Sequence, residues 1–133
     1  MENSSKKVLV VEDDTSLLNM LTDKLSLLGF RALKAEDGKK AIDIVLREGP
    51  DLIFLDLLIP EVDGYQVLQT VRSHGDPKVS STPVIVLSNL WSDKDILRAK
   101  SLRVSEYYVK AQTDLEEVFK KAQEILGKNG EAV

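Results

Sequence analysis

The stretch Asp51-Leu52-Ile53-Phe54-Leu55-Asp56-Leu57-Leu58-Ile59-Pro60-Glu61-Val62-Asp63-Gly64 constrains the fold of this chain more than any other. Its first part is a continuous run of branched and aromatic apolar residues, the pattern of a short strand buried on both faces. Asp56 therefore stands as an anion at the mouth of a core. Pro60 has no amide to give a central ladder, and Asp63-Gly64 signals a turn or a helix start, so the chain must leave the sheet directly after Asp56. Strands covered on both faces belong to parallel sheets, whose neighbours are joined by crossover helices.

The rest of the chain repeats this alternation. A first strand, β1 (Lys6 to Val11), stops at Glu12-Asp13-Asp14; Leu18, Leu21, Leu25 and Leu28 then recur at helical spacing in α1, which Gly29 ends. Phe30 to Ala35 alternates as β2, and Asp37 can cap α2, whose face is Ala41, Ile42, Val45 and Leu46 before Gly49-Pro50 breaks it. The opening stretch is β3. Val67, Leu68 and Val71 mark α3, residues 73–83 read as a polar, breaker-rich loop, and β4 (Val84 to Leu87) ends at Ser88-Asn89. Ser92 can cap α4, with a thin apolar face of Ile96, Leu97, Ala99 and Leu102; β5 (Val104 to Val109) ends at Lys110. Thr113-Asp114-Leu115-Glu116 has capping-box spacing ahead of α5, which carries Leu115, Val118, Phe119, Ala122, Ile125 and Leu126. The expected fold class is α/β: a three-layer (βα)5 sandwich around a five-stranded parallel sheet, one domain over 1–127 with a flexible C-terminal tail over 128–133.

Composition narrows the function. A net charge of -4 argues against direct nucleic-acid binding and against an anionic membrane surface, and the absence of cysteine excludes disulfides and thiolate metal sites. The polar, basic Met1 to Lys7 segment does not read as a signal peptide, and no apolar run approaches the roughly 18–20 residues of a membrane span. A cytoplasmic protein is the expectation.

In open parallel sheets ligands bind beyond the carboxyl ends of the strands. That edge holds Glu12, Asp13, Asp56, Ser88 and Lys110. Singly, an acid after a strand is most often a solvated cap, a serine a turn former and a lysine a solvated side chain; their convergence on one edge is what points to chemistry. Crowded carboxylates repel and favour a shared cation, and an all-oxygen set without His or Cys suits Mg2+. With Lys110 as a fixed positive charge and Ser88 as a hydroxyl donor, such an edge suits phosphoryl transfer to Asp56.

The segments Val-Val-Glu12-Asp13-Asp14, Leu-Asp56-Leu-Leu-Ile-Pro60-Glu-Val-Asp63-Gly64, Val-Ile-Val-Leu-Ser88 and Tyr107-Tyr-Val-Lys110 together resemble the receiver domain of two-component response regulators, over roughly residues 6 to 127. The resemblance implies a flavodoxin-like sheet in strand order 2-1-3-4-5. It implies that Asp56 is the phosphoacceptor, served by a histidine kinase or a histidine phosphotransfer protein, and that the domain catalyses its own phosphorylation and dephosphorylation without being a conventional enzyme. Mg2+ would be held by Asp13 and Asp56, by Glu12 through water, and by the Leu58 backbone carbonyl. Ser88 and Lys110 would meet phosphoryl oxygens. Ser88 and Tyr107 would form the switch, Tyr107 turning from solvent into the gap that Ser88 leaves, and the α4-β5-α5 face would be read by a downstream protein or a missing output domain, as a monomer or a weak dimer through that face.

Several residues depart from the family. Ala111 stands where proline is usual after the lysine, so the Lys110-Ala111 peptide is expected to be trans and the following loop to differ. Arg103 replaces a common glycine before β5, and Asn89 a smaller residue beside Ser88. Leu58 and Leu90, apolar where polar residues often help water attack, imply slow loss of phosphate. His74 is expected to be an exposed loop residue, and Trp91 to pack partly at the start of α4. Relief of carboxylate repulsion predicts that Asp56→Ala stabilises the metal-free protein. A nucleotide- or flavin-binding module fits poorly, because the first turn offers acids instead of Gly, Ser or Thr donors, and an aspartyl phosphatase would use paired acids where Asp56 is followed by two leucines. The remaining alternatives are a receiver-like module that works without phosphorylation and a receiver excised from a longer regulator.

Overall fold

A computed structural model describes residues 5–127. Five parallel strands, β1 (Lys7–Val11), β2 (Arg31–Ala35), β3 (Leu52–Leu55), β4 (Val84–Ser88) and β5 (Glu106–Val109), pair in the order β2-β1-β3-β4-β5. The five crossover and terminal helices are α1 (Thr15–Leu27), α2 (Gly38–Glu48), α3 (Gly64–Arg72), α4 (Asp93–Ser101) and α5 (Leu115–Leu126). The expected flavodoxin-like topology is therefore observed. The tail expected over 128–133 lies outside the described residues.

Period-2 geometry divides the core in two, since successive strand side chains face opposite sides of the sheet. Leu9, Val11, Ile53, Leu55, Val84 and Val86 face α2, α3 and α4, where Ala41, Ile44, Val45, Val67, Leu68, Val71 and Ala99 meet them. Val8, Val10, Leu52, Phe54, Ile85 and Leu87 face α1 and α5 and pack on Leu18, Leu21, Leu25, Val118, Phe119 and Ala122. β3 and β4 are buried at every position, as the unbroken apolar runs require. The thin face of α4 buries only Ala99 fully, so the helix is also held by polar contacts: the Tyr65 hydroxyl donates to the Asp95 carbonyl at 2.8 Å, and the Arg98 guanidinium lies 3.9 Å from the Tyr65 ring centroid.

Four details of the sequence reading are corrected. The 73–83 loop contains a one-turn helix, Pro77–Ser80, capped by Asp76 with Pro77 in its first turn, a start signal hidden by the lack of an apolar face. α5 is capped by Asp114, which accepts from the Glu116 amide, because Thr113 instead donates its hydroxyl to the Val109 carbonyl at 2.7 Å. Trp91 does not pack; it is 70% exposed ahead of the Ser92 cap. β5 begins at Glu106, two residues later than expected, because the chain turns at Arg103, whose φ of 61° is the left-handed conformation that makes glycine common there.

The loop from Leu57 to Asp63, which follows Asp56, is seated on two glycines. The Gly38 amide donates to Pro60 and the Gly64 amide to Leu57, each at 3.2 Å. A Cβ on Gly38 would run into the Val62 carbonyl, and one on Gly64 into the backbone of Asp56 and Leu57. Neither obstacle is a flexible side chain. Gly38→Ala and Gly64→Ala are each expected to lower stability by about 1–3 kcal/mol, the usual cost of overpacking, measured by chemical denaturation.

Candidate functional site

The carboxyl edge of the sheet collects its polar groups by backbone pairing alone. The Glu12 amide donates to Ala35, and the Asp56 amide to Val11, both at 3.0 Å, so each acid sits one residue past a strand end and on the sheet's own ladder. Asp14 turns the chain into α1 by capping it through the Leu17 amide, while its own amide donates to Glu12 Oε2 at 3.0 Å. Asp56 Oδ1 accepts from the Leu58 amide at 3.0 Å, leaving Oδ2 toward Lys110.

Lys110 is the geometric centre. Its Nζ donates to Asp56 Oδ2 at 2.6 Å and lies 2.6 Å from Glu12 Oε1. The Glu12 and Asp56 side chains are 3% and 4% exposed, so this ammonium answers two anions that have left water. Burial pushes the Glu12 carboxyl above its ordinary range against the opposing Lys110 and Asp14 hydrogen bonds, and the Asp56 charge adds to the rise. Burial works to lower the Lys110 ammonium, but its hydrogen bonds to Asp56 and Glu12 outweigh that and hold it above the ordinary lysine value.

Asp13 is exposed beside this pair. One carboxylate oxygen from each of Glu12, Asp13 and Asp56 lies within 4.8 Å of the others, a spacing that one cation could bridge, and the all-oxygen set with an open side fits Mg2+, which keeps several waters. The third acid explains why one ammonium leaves the cluster short of positive charge.

Ser88 is fully buried at the end of β4, the strand beside β3, and its Oγ accepts from the Leu90 amide at a long 3.4 Å. Tyr107 pairs in register with Val86 and is half-buried, its hydroxyl donating to the Leu90 carbonyl at 2.8 Å, so it is not in open solvent as the sequence reading placed it. Tyr108 faces the α1 and α5 side, as strand alternation predicts. Leu58 is half-exposed, and Leu90 packs against the core near Tyr107. His74 is exposed and away from the edge, its Nδ1 accepting from the Asp76 amide.

The loop after β5 bears out one expectation and adds one contact that the sequence reading missed. The Lys110–Ala111 peptide is trans, and the segment Lys110–Gln112 forms a 3₁₀ turn. The Ala111 amide donates to Asn89 Oδ1 at 3.0 Å, so the two residues singled out separately as departures are partners. The signal was present in the pairing of an added amide with an added acceptor.

Tyr107 gives a direct reading of this region's polarity. Burial, with Tyr65, Asp95 and Asp56 nearby, raises its phenol to about 12, and burial also raises Tyr65 and Tyr108 above 10. Between pH 10 and 12 the folded chain therefore holds a proton on Tyr107 that the unfolded chain has lost. The associated stability is complete below pH 10 and declines as pH rises toward 12. Phenolate absorbance is expected to show no tyrosine titrating at the ordinary value, and Tyr107→Phe to remove a step near pH 12.

Comparison with known proteins agrees with this geometry. The family model described as "Response regulator receiver domain" matches residues 8–123. The protein named "Probable transcriptional regulator ycf27" from Cyanophora paradoxa is 37% identical over 110 residues, covering 83% of this chain and 44% of that protein. Regulatory protein VanRc of Enterococcus gallinarum is 33% identical over 114 residues, 86% of this chain and 47% of that one. The chain thus spans less than half the length of these curated relatives. Among solved structures, the receiver domain of Francisella response regulator 1452 superposes with a TM-score of 0.81 at 26% identity, covering 91% of this chain and 96% of that domain. The phosphorylated cyanobacterial phytochrome response regulator RcpA superposes with a TM-score of 0.75 at 31% identity, covering 91% of each chain.

Proposed function

The chain belongs to the response regulator receiver domain family, and on that premise we propose that it takes a phosphoryl group onto Asp56 from a phosphohistidine donor and thereby switches a protein-binding face. The observation that carries this reading is the cluster at Asp56: Lys110 Nζ lies 2.6 Å from both Asp56 and Glu12, and the Asp13 carboxylate is near enough to share a cation with those two acids.

In the proposed step an Asp56 side-chain oxygen forms a bond to phosphorus as the phosphorus–nitrogen bond of the donor breaks, its electron pair leaving with the imidazole, which then takes a proton from solvent. The Leu58 amide on Oδ1 fixes the carboxylate plane. Lys110, already on Oδ2, is placed to follow the negative charge onto the transferred group, and the buried Ser88 hydroxyl to donate to another phosphoryl oxygen. Glu12, Asp13 and Asp56, with the Leu58 carbonyl, would hold Mg2+, which when bound neutralises charge on the phosphoryl oxygens. Mg2+ is the cofactor of this reading, and a histidine kinase or histidine phosphotransfer protein is the donor.

The switch follows from the same contacts. New acceptor oxygens on Asp56 draw Ser88, whose present partner is only the long Leu90 contact, and release Tyr107 from the Leu90 carbonyl to repack. The readout is the α4-β5-α5 face, open to a downstream protein or to a second copy in a weak dimer. A second reading is a receiver that acts on an output domain of a longer regulator, the chain matching less than half the length of the ycf27 and VanRc proteins. No helix among the described residues is long and apolar enough to cross a membrane.

Incubation with acetyl phosphate and Mg2+ tests the reading. Intact mass is expected to rise by one phosphoryl group in wild type and not at all in Asp56→Ala; equal uptake by both, or none by wild type, overturns it.

A further inference from the structure

The catalytic reading places Lys110 on a loop, and side chains on loops are positioned only as well as the loop is held. Here the backbone on both sides of Lys110 is tied by a side chain. Val109, before it, accepts the Thr113 hydroxyl at 2.7 Å; Ala111, after it, donates to Asn89 Oδ1 at 3.0 Å. Asn89 directly follows Ser88, so its amide group bridges the strand end that carries the hydroxyl donor to the turn that carries the ammonium. Asn89 is exposed, which makes a purely core-packing role a poor account of it.

We propose that Asn89, through the Ala111 amide, is a positioning residue that holds Lys110 against Asp56 and sets its distance from Ser88. The proposal deepens the phosphoacceptor reading and rests on it. The bridge needs two parts: an acceptor at 89 and a backbone N–H at 111. Asn89→Ala removes the first and Ala111→Pro the second, because proline has no amide hydrogen. Ala111→Gly keeps the donor and serves as the control for loop perturbation. Loss of one hydrogen bond of ordinary strength corresponds to about a fivefold slowing if it acts on Lys110 in the transfer step.

The experiment measures, for each variant, the initial rate of phosphorylation by acetyl phosphate, Mg2+ affinity by calorimetry, and hydrogen exchange of the Ala111 amide without metal. Asn89→Ala and Ala111→Pro are each expected to slow phosphorylation about fivefold with Mg2+ affinity not weakened, the double variant to be no slower than the slower single, and Ala111→Gly, which keeps the N–H, to lose less than Ala111→Pro. Ala111 exchange should be faster in Asn89→Ala. A wild-type rate in Asn89→Ala, multiplied losses in the double variant, or a fall in Mg2+ affinity that parallels the fall in rate each overturns the bridge. Asp56→Ala separates the two claims: phosphate uptake by that variant sinks the phosphoacceptor reading itself, whereas a null result at Asn89 sinks the bridge alone.

Discussion

Lys110→Ala, unfolded in the presence of chelator, is expected to lose about 3–5 kcal/mol of stability, the cost of stripping the partner from a buried ion pair. The size of the effect comes from what is left behind. Glu12 and Asp56 are almost wholly out of water, they raise each other's cost, and among the described residues Lys110 is the only cation paired with them. Lys110→Met, which keeps the stem that packs along the site, should recover part of the packing and little of the charge term. Mg2+ should then stabilise Lys110→Ala more than wild type, because a bound cation answers the same oxygens and binds only the folded chain. Unchanged stability in chelator would mean that the two acids do not depend on the ammonium, and the geometry of the site would lose its energetic meaning.

Asp13→Asn should show the opposite profile. Asp13 is exposed and lies on the open side of the cluster, so its neutralisation costs little stability; it removes a carboxylate from the set that would hold the cation. Mg2+ affinity is expected to fall on the order of a hundredfold, the upper end of what even an indirect partner of a metal commonly contributes. Phosphorylation at low Mg2+ should fall by the same factor and recover as Mg2+ is raised. Calorimetry and the acetyl phosphate assay check this together, and a variant that binds Mg2+ like wild type removes Asp13 from the metal site. For stability, Lys110 is thus predicted to matter most without metal, whereas Asp13 acts through the metal.

Much of this molecule was legible before any coordinates. β3 and β4 could be read because an unbroken apolar run of that length has few uses other than a strand covered on both faces, and Asp37 and Ser92 could be read as caps because they stand immediately before a periodic apolar face. The site residues followed from topology: once the strands are parallel, Glu12, Asp13, Asp56, Ser88 and Lys110 must share an edge. What escaped were contacts set by loop geometry and not by periodicity. The turn at Pro77–Ser80 has no buried face to announce it, and Thr113 lost its expected capping role to the Val109 carbonyl. The double engagement of Lys110 was also invisible, and it alters an expectation. Asp56→Ala would relieve repulsion with Glu12 but would also lose a 2.6 Å ion pair, so the stabilisation anticipated from crowding alone is offset. Ala111 and Asn89 could each be seen to be unusual, but only the fold brings them within 3.0 Å of each other.

Diffraction from crystals grown with Mn2+ and beryllofluoride, a stand-in for the phosphoryl group, addresses the shared site at its source. The expected map has the metal's anomalous peak among the carboxylates of Glu12, Asp13 and Asp56, and beryllofluoride on an Asp56 oxygen with Lys110 Nζ and Ser88 Oγ as donors to its fluorines. A metal peak away from Asp13 and Asp56, or beryllofluoride met by neither Ser88 nor Lys110, would contradict the account.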